Sequence, residues 1–161
     1  MPRKKGWVSA QGKLGKVIAA KVEEGVDLIE GIFKIAKENR IKSGNVTAIG
    51  SLRSATVAWA NSIDVTKPIG DTMTDYTMQG PVEMAIGWGV FGTANDGKRY
   101  IHFHALIMDK NGVVRCGNLK FGTAPVSATV DMTIQELKGL SLKPVYHEVR
   151  KNVRLIPTSL K

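Results

Sequence analysis

Hydrophobic residues recur at helical spacing in one stretch of the chain. From Asp27 to about Asn39 the apolar positions lie three or four residues apart, which predicts an amphipathic helix. The carboxylate of Asp27 is placed to accept hydrogen bonds from the free N–H groups of the first turn. Gly31 lies inside the predicted helix, where glycine costs stability. The pattern therefore predicts one long helix in the first quarter of the chain.

The remaining apolar runs are short and rich in β-branched residues, which predicts strands. They lie at 15–22, 46–49, 52–60, 76–79, 82–93, 99–108, 113–120 and 126–134. Asn95-Asp96-Gly97 and the segment from Asp109 to Gly112 are typical turns. One early helix followed by successive strands predicts an α+β fold, with the main helix packed on a mostly antiparallel sheet of six to eight strands. A closed or half-closed barrel is the alternative.

Composition places the chain among ordinary globular proteins. Of 161 residues, 43% are hydrophobic and 23% are charged, which excludes a disordered chain and a collagen. The single cysteine, Cys116, excludes an intrachain disulfide and fits a reducing compartment. No apolar run reaches the length of a signal peptide core or of a membrane span. We expect a cytoplasmic protein.

Positive charge is concentrated at the two ends of the chain. The net charge is +9, of which residues 1–21 carry +6 and residues 138–161 carry +5, while residues 22–137 carry −2. This balance favours a polyanionic partner, above all nucleic acid. We therefore divide the chain into a basic N-terminal arm (1–14), a domain (15–137) and a basic C-terminal segment (138–161). The candidate DNA-binding residues are Arg3, Lys4, Lys5, Arg150, Lys151 and Arg154. A merely solubilising tail is the alternative for the N-terminal arm.

Three motifs, in this order, resemble the PPC domain that plants and prokaryotes share. They are Glu24–Glu30 leading into the helix, Ile49–Arg53 closing a strand, and His102-Phe103-His104 followed by Gly117-Asn118-Leu119. The resemblance covers about residues 15–137. It implies one helix on an antiparallel sheet and assembly as a homotrimer. The plant members carry AT-hook segments, and prokaryotic members are described as DNA-binding by association with them.

His102 and His104 lie two apart on a predicted strand and therefore face the same side. In the resembling family a third histidine, in a Gly-Gly-His-Leu run, joins this pair. Here the run is Cys116-Gly117-Asn118-Leu119, so Cys116 is the remaining candidate for a third ligand of a zinc-like divalent metal. The alternative is a hydrogen-bonded histidine pair with a buried cysteine. Arg53 and Asn118 are candidate residues of the same pocket, although Arg53 is also consistent with a solvated arginine.

Three functions follow from these residues. The first is a homotrimer that binds DNA weakly and non-specifically through its basic termini, associated with the nucleoid. The second is a small-molecule-binding or metal-binding protein with an inter-subunit pocket around His102 and His104. An enzyme would use one of these histidines as acid or base. No nucleophile elbow or phosphate-binding glycine loop is present, so a binding role is favoured over an enzyme. The third is a scaffold for a protein partner.

Overall fold

Strands dominate the computed structural model, which describes residues 6–160. In chain order these residues form β1 (Lys13–Glu23), α1 (Leu28–Glu38), β2 (Ser43–Ala60), a 3₁₀ turn (Ile69–Thr72), β3 (Met73–Thr93), β4 (Arg99–Asp109), β5 (Val114–Leu119), β6 (Val126–Lys138), β7 (Leu140–His147) and β8 (Asn152–Ser159). The predicted α+β class, with one helix and up to eight strands, is confirmed. None of the helices in this range is long and apolar enough to cross a membrane.

Six strands form one antiparallel sheet in the order β1-β6-β2-β3-β4-β5. The sheet curls so far that β5 pairs a second time, with β2, where Leu119 lies opposite Val57. One end of the sheet is therefore closed, as in the half-closed barrel that was the alternative prediction. The other end stays open, with β1 at its edge.

Two strands are longer than the sequence predicted. The runs at 46–49 and 52–60 belong to one strand, β2, and those at 76–79 and 82–93 belong to β3. β2 contains register shifts on either side of Leu52. Gly50 has a φ of 149°, and a side chain there would overlap the backbone of β6 at Thr129. Glycine thus allows a bulge that bends β2 without ending it, because a bulge disrupts pairing only locally.

The helix begins where the sequence predicted. Asp27 accepts hydrogen bonds at Oδ1 from the N–H groups of Ile29 and Glu30, at 3.0 and 3.2 Å. Its Oδ2 accepts from the N–H of Ala124 at 3.0 Å, which ties the start of α1 to the loop before β6. Gly31 faces Val22 of β1, and a Cβ at Gly31 would lie 2.8 Å from a methyl carbon of Val22. Close packing of helix on sheet explains this glycine.

The helix covers one side of the curled sheet, which we call the inner face. The core lies between them and includes the fully buried Leu28, Ile32, Phe91 and Phe103. The opposite side, the outer face, receives no helix. Its side chains are those that alternate with the core residues along each strand.

The C-terminal segment forms a separate hairpin of β7 and β8. At its base, the N–H of Leu142 donates to Oγ of Ser43 at 3.0 Å. At its tip, the Arg150 guanidinium donates to the carbonyl oxygens of Asp64 and Lys67, at 2.5 and 2.8 Å, and to Oγ1 of Thr72 at 3.0 Å. The hairpin is therefore held at both ends, on the start of β2 and on the loop 61–72.

Candidate functional site

An apolar surface lies on the outer face of β2 to β5. Its side chains are between 37% and 54% exposed, and Trp88 is at the upper end of this range. We call this surface the outer patch; it comprises Ile49, Ile86, Trp88, Leu106, Met108 and Val114. Contiguous exposed apolar surface is typical of an interaction site. The sequence signal for this surface is the pair of nearly continuous apolar runs at 82–93 and 99–108, since strands of this kind are buried on both faces.

A shallow groove lies on the same face, across β1, β6 and β2. Its volume is about 430 Å³. The residues that line it are mostly small, and we call it the small-residue groove; they include Ala19, Thr47, Ile49, Asp131 and Thr133. Ala19, Thr133, Thr47 and Trp88 are successive partners in one row across four strands. The groove and the outer patch therefore adjoin on one continuous face.

His102 and His104 lie on β4 beside the outer patch. Their Nε2 atoms are 3.1 Å apart, and the two rings meet edge to face with centroids 4.9 Å apart. The spacing rule therefore placed them correctly on one face. Burial lowers the pKa of His104, and the charge of His102 lowers it further. Both effects disfavour a doubly protonated pair.

Cys116 does not complete a metal site with this pair within one chain. Cys116 is exposed on β5 and lies opposite Leu106, whereas the strand partner of His104 is Asn118. Among residues 6–160 no group of three or more His, Cys, Asp or Glu side chains is arranged to hold a metal ion. Zinc needs three or four such ligands, so a zinc ion at this pair lacks a complete ligand set among these residues, and the set of His102, His104 and Cys116 stays a prediction.

The two predicted pocket residues lie in different places. Asn118 neighbours His104, as expected. Arg53 lies on β2 and pairs with Glu24 on the exposed surface, which is consistent with the alternative of a solvated arginine. Along β2 it lies between Thr47, which is in line with His104 through β3, and Ala58, which is in line with His104 through β5. An anion contact of Arg53 near the histidines stays a prediction.

The predicted DNA-binding residues also have different surroundings. Arg3, Lys4 and Lys5 lie outside the described residues. The guanidinium of Arg150 is engaged within the chain, where it holds the loop 61–72. Lys151 lies 3.5 Å from Glu148, and Arg154 is exposed on β8. Arg150 thus has a structural role that its sequence context did not indicate.

The segment before β1 and the end of β8 meet at Gly139. The N–H of Leu160 donates to the carbonyl oxygen of Gly139 at 3.1 Å. Gly12 packs against the same residue, with its Cα 3.7 Å from where a Cβ on Gly139 would lie. Next to this contact Lys13 of β1 lies opposite Lys138 of β6. Lys13 and Lys138 therefore lie beside the contact of Gly12, Gly139 and Leu160, a proximity that the sequence left open.

Acidification is expected to destabilise the fold through His104. Its pKa is lowered in the folded state, so the unfolded chain takes up the proton more readily. This contribution to stability is complete above the ordinary pKa of 6.5 and is lost as the pH falls through the lowered pKa. We expect the free energy of unfolding in urea to fall less below pH 6.5 in His104→Gln than in the wild type. Equal pH dependence of the two proteins would contradict this assignment.

Comparison with known proteins identifies the family. The family model described as the Plants and Prokaryotes Conserved (PCC) domain matches residues 9–138. A plant- and prokaryote-conserved (PPC) protein of Pyrococcus horikoshii is 20% identical over 96% of this chain and 99% of its own, with a TM-score of 0.75. A metal-containing protein of Archaeoglobus fulgidus is 21% identical over 94% and 97%, with a TM-score of 0.72. A proposed DNA-binding protein of Bacteroides thetaiotaomicron is 16% identical over 92% and 97%, with a TM-score of 0.71.

At these identities the structural likeness concerns the fold alone. No curated protein is detectably similar to the chain in sequence. The family model, by contrast, spans most of the chain, including α1 and the six-stranded sheet. It ends where the hairpin of β7 and β8 begins. From Ser9 to Lys138 this chain belongs to the Plants and Prokaryotes Conserved domain family.

Proposed function

We propose that this protein is a homotrimer that binds DNA weakly and without sequence preference through its basic ends. The observation that carries the proposal is the meeting of Gly12 and Leu160 at Gly139, beside Lys13 and Lys138, which brings the segment before β1 next to both ends of the C-terminal hairpin. The domain between the ends carries a net charge of −2, so attraction to a polyanion depends on the ends.

The outer face supports assembly of identical chains. The outer patch and the small-residue groove share only Ile49, so contact of one chain's patch with another chain's groove is head-to-tail. A head-to-tail contact forms a ring when the rotation between subunits closes. Trp88 is a large side chain of the kind that anchors protein interfaces, and the groove of small residues leaves room for such an anchor.

Trimerisation multiplies weak charge interactions. Each chain contributes a net charge of +9, and three linked copies raise the local concentration of basic groups near one DNA molecule. Two structures similar in fold, from Bacteroides thetaiotaomicron and Ralstonia eutropha, are of proposed DNA-binding proteins. We expect the protein to act in the cytoplasm, associated with the nucleoid.

DNA binding is expected to weaken steeply with salt. Fluorescence anisotropy with a labelled duplex of mixed sequence measures this, because each neutralised phosphate contributes about 0.9 to the slope of log affinity against log salt. The variant with Lys4→Ser and Lys5→Ser should bind more weakly and show a smaller slope. A matched variant, with Lys67→Ser and Lys110→Ser, loses the same charge elsewhere and should keep the wild-type slope. Salt-independent binding, or none at about 50 mM salt, would contradict the proposal.

A small-molecule site beside the histidines is the second candidate function. A cavity of about 360 Å³ reaches Asn118, the strand partner of His104, and is also lined by Lys120 and Asn152. The side chains of Asn118, Lys120 and Asn152 are polar, which favours a polar ligand. Native mass spectrometry of the purified protein tests this: a small molecule that is retained, and is lost in Asn118→Ala, would support it over DNA binding alone.

A further inference from the structure

We propose that a cleft at the meeting of the two chain ends binds the phosphates of a nucleic acid backbone. The inference rests on the proposed DNA binding and names a surface for it that lies within the described residues. The cleft has a volume of about 730 Å³ and lies between the α1–β2 junction, the β3–β4 turn and the β6–β7 corner. We call it the basic cleft; the residues used below are Arg40, Lys42, Asn95, Lys138 and Ser141.

Positive charge in the basic cleft is largely free. Arg40 and Lys42 are exposed, and within residues 6–160 neither has a carboxylate within 4.0 Å. Glu136 is the one acidic residue in the lining, and it lies 3.8 Å from Lys138. The same carboxylate also accepts the backbone N–H of Lys16 at 3.0 Å. The cleft therefore holds more positive charge than its own acid compensates.

Arg40 occupies a backbone position that favours glycine. Its φ is 58°, in the left-handed region. Its N–H donates to Lys37 at 3.0 Å and the N–H of Ile41 donates to Ala36 at 2.8 Å, which is the Schellman pattern that ends a helix. Glycine adopts this conformation without steric cost, whereas arginine does not. Strained residues of this kind cluster at functional sites, and here the strain presents a guanidinium to the cleft.

The groups around the cleft match the chemistry of a phosphodiester. A guanidinium donates two parallel hydrogen bonds to phosphate oxygens, and lysine ammonium groups add charge. The side chains of Asn95 and Ser141 supply neutral donors from two other walls. The cleft is a groove open to solvent, so a continuous backbone has room to pass through it. Free phosphate shares this chemistry and is the other source that the test must separate.

The test removes two cationic side chains of the cleft by substitutions that should not destabilise the fold. The variant with Arg40→Gly and Lys42→Ser removes two charges and gives the left-handed position to glycine. We expect its affinity for the labelled duplex to fall on the order of tenfold at low salt, and the salt slope to fall by about 0.9 for each phosphate that the variant no longer binds. Its thermal midpoint should equal or exceed that of the wild type. The charge-matched control is the variant with Lys67→Ser and Lys110→Ser. Lys67 lies near the hairpin tip, and Lys110 follows the end of β4 that is remote from the cleft.

Two outcomes separate this inference from the proposed function. If Lys4→Ser with Lys5→Ser weakens DNA binding but Arg40→Gly with Lys42→Ser does not, the basic cleft is overturned and binding through the ends stands. If the wild type binds no DNA, both are overturned. Titration calorimetry with inorganic phosphate completes the test. Phosphate binding that requires Arg40, without any DNA binding, would identify a free-phosphate site and overturn the assignment to nucleic acid.

Discussion

Trp88→Asp is expected to convert the proposed homotrimer into monomers. Trp88 is 54% exposed at one end of the outer patch, with Thr47 and His104 as its neighbours across the strands. Buried tryptophans at interfaces typically contribute about 2 kcal/mol or more, so each of the three interfaces is weakened by that much. The new carboxylate adds the cost of burying a charge without a partner. Size-exclusion chromatography with light scattering measures the result.

Ile63→Asp is the matched control for this variant. Ile63 is 97% exposed in the loop 61–72, away from the outer patch, so the same kind of substitution there should leave the trimer intact. Circular dichroism checks that both variants remain folded, which is expected because neither side chain belongs to the core. Two results would contradict the proposal: a Trp88→Asp variant that remains trimeric, or a wild type that is monomeric at working concentration.

Gly92→Ala is expected to displace the hairpin of β7 and β8 from the main sheet and to lower the stability of the fold. A Cβ at Gly92 would overlap the carbonyl oxygen of Leu142. No rotamer change relieves this overlap, because the clashing atom is backbone and the N–H of the same residue is held by Ser43. Displacing β7 exposes Leu142, which costs about 1.5 to 3 kcal/mol, and breaks that hydrogen bond, which costs about 1 kcal/mol more. The expected decrease in unfolding free energy is therefore about 2.5 to 4 kcal/mol.

Urea unfolding measures this decrease, and limited proteolysis locates it, since a released hairpin should be cleaved first. Gly70→Ala is the control: its Cβ would meet no heavy atom within 4 Å, and its backbone is not in the left-handed region. Gly92→Ala should also weaken DNA binding if the basic cleft is correct, because β7 begins at one wall of the cleft. A variant as stable and as protease-resistant as the wild type would show that β7 moves without cost.

Features of the fold that depend on near neighbours were predictable from the sequence. The helix start at Asp27, the turn at Asn95–Gly97 and the shared face of His102 and His104 all follow from positions a few residues apart. The bulge at Gly50 was not predictable in this way, since a glycine between two apolar runs is equally typical of a strand end. The hairpin was missed because Val145 to Leu155 matches neither the helical nor the strand period.

In the candidate site, too, some features follow from near neighbours in the sequence and others from the tertiary structure. The sequence spacing alone does not show that Asn118 and His104 are neighbours. The register of β4 and β5 decides this, because it pairs the two residues. Arg53 ends the motif Ile49–Arg53, but its ion pair with Glu24 could not be predicted from that motif, because it joins residues 29 positions apart. The outer patch was not predicted, because an apolar run does not show which of its residues face the core. The position of α1 on the inner face determines which residues are buried there.

By itself, the sequence determined that this chain is an α+β domain with one helix, that its charge resides at the two ends, and that His102 and His104 share a face. Those properties depend on composition and on periods of two to four residues. Only the tertiary structure decided that Gly12 and Leu160 meet at Gly139, that Arg150 holds the loop 61–72, and that Arg40 and Lys42 line one cleft with Lys138. Most of these contacts join residues about 80 to 150 positions apart. Strand register and sheet curvature, which no local pattern encodes, bring such residues together.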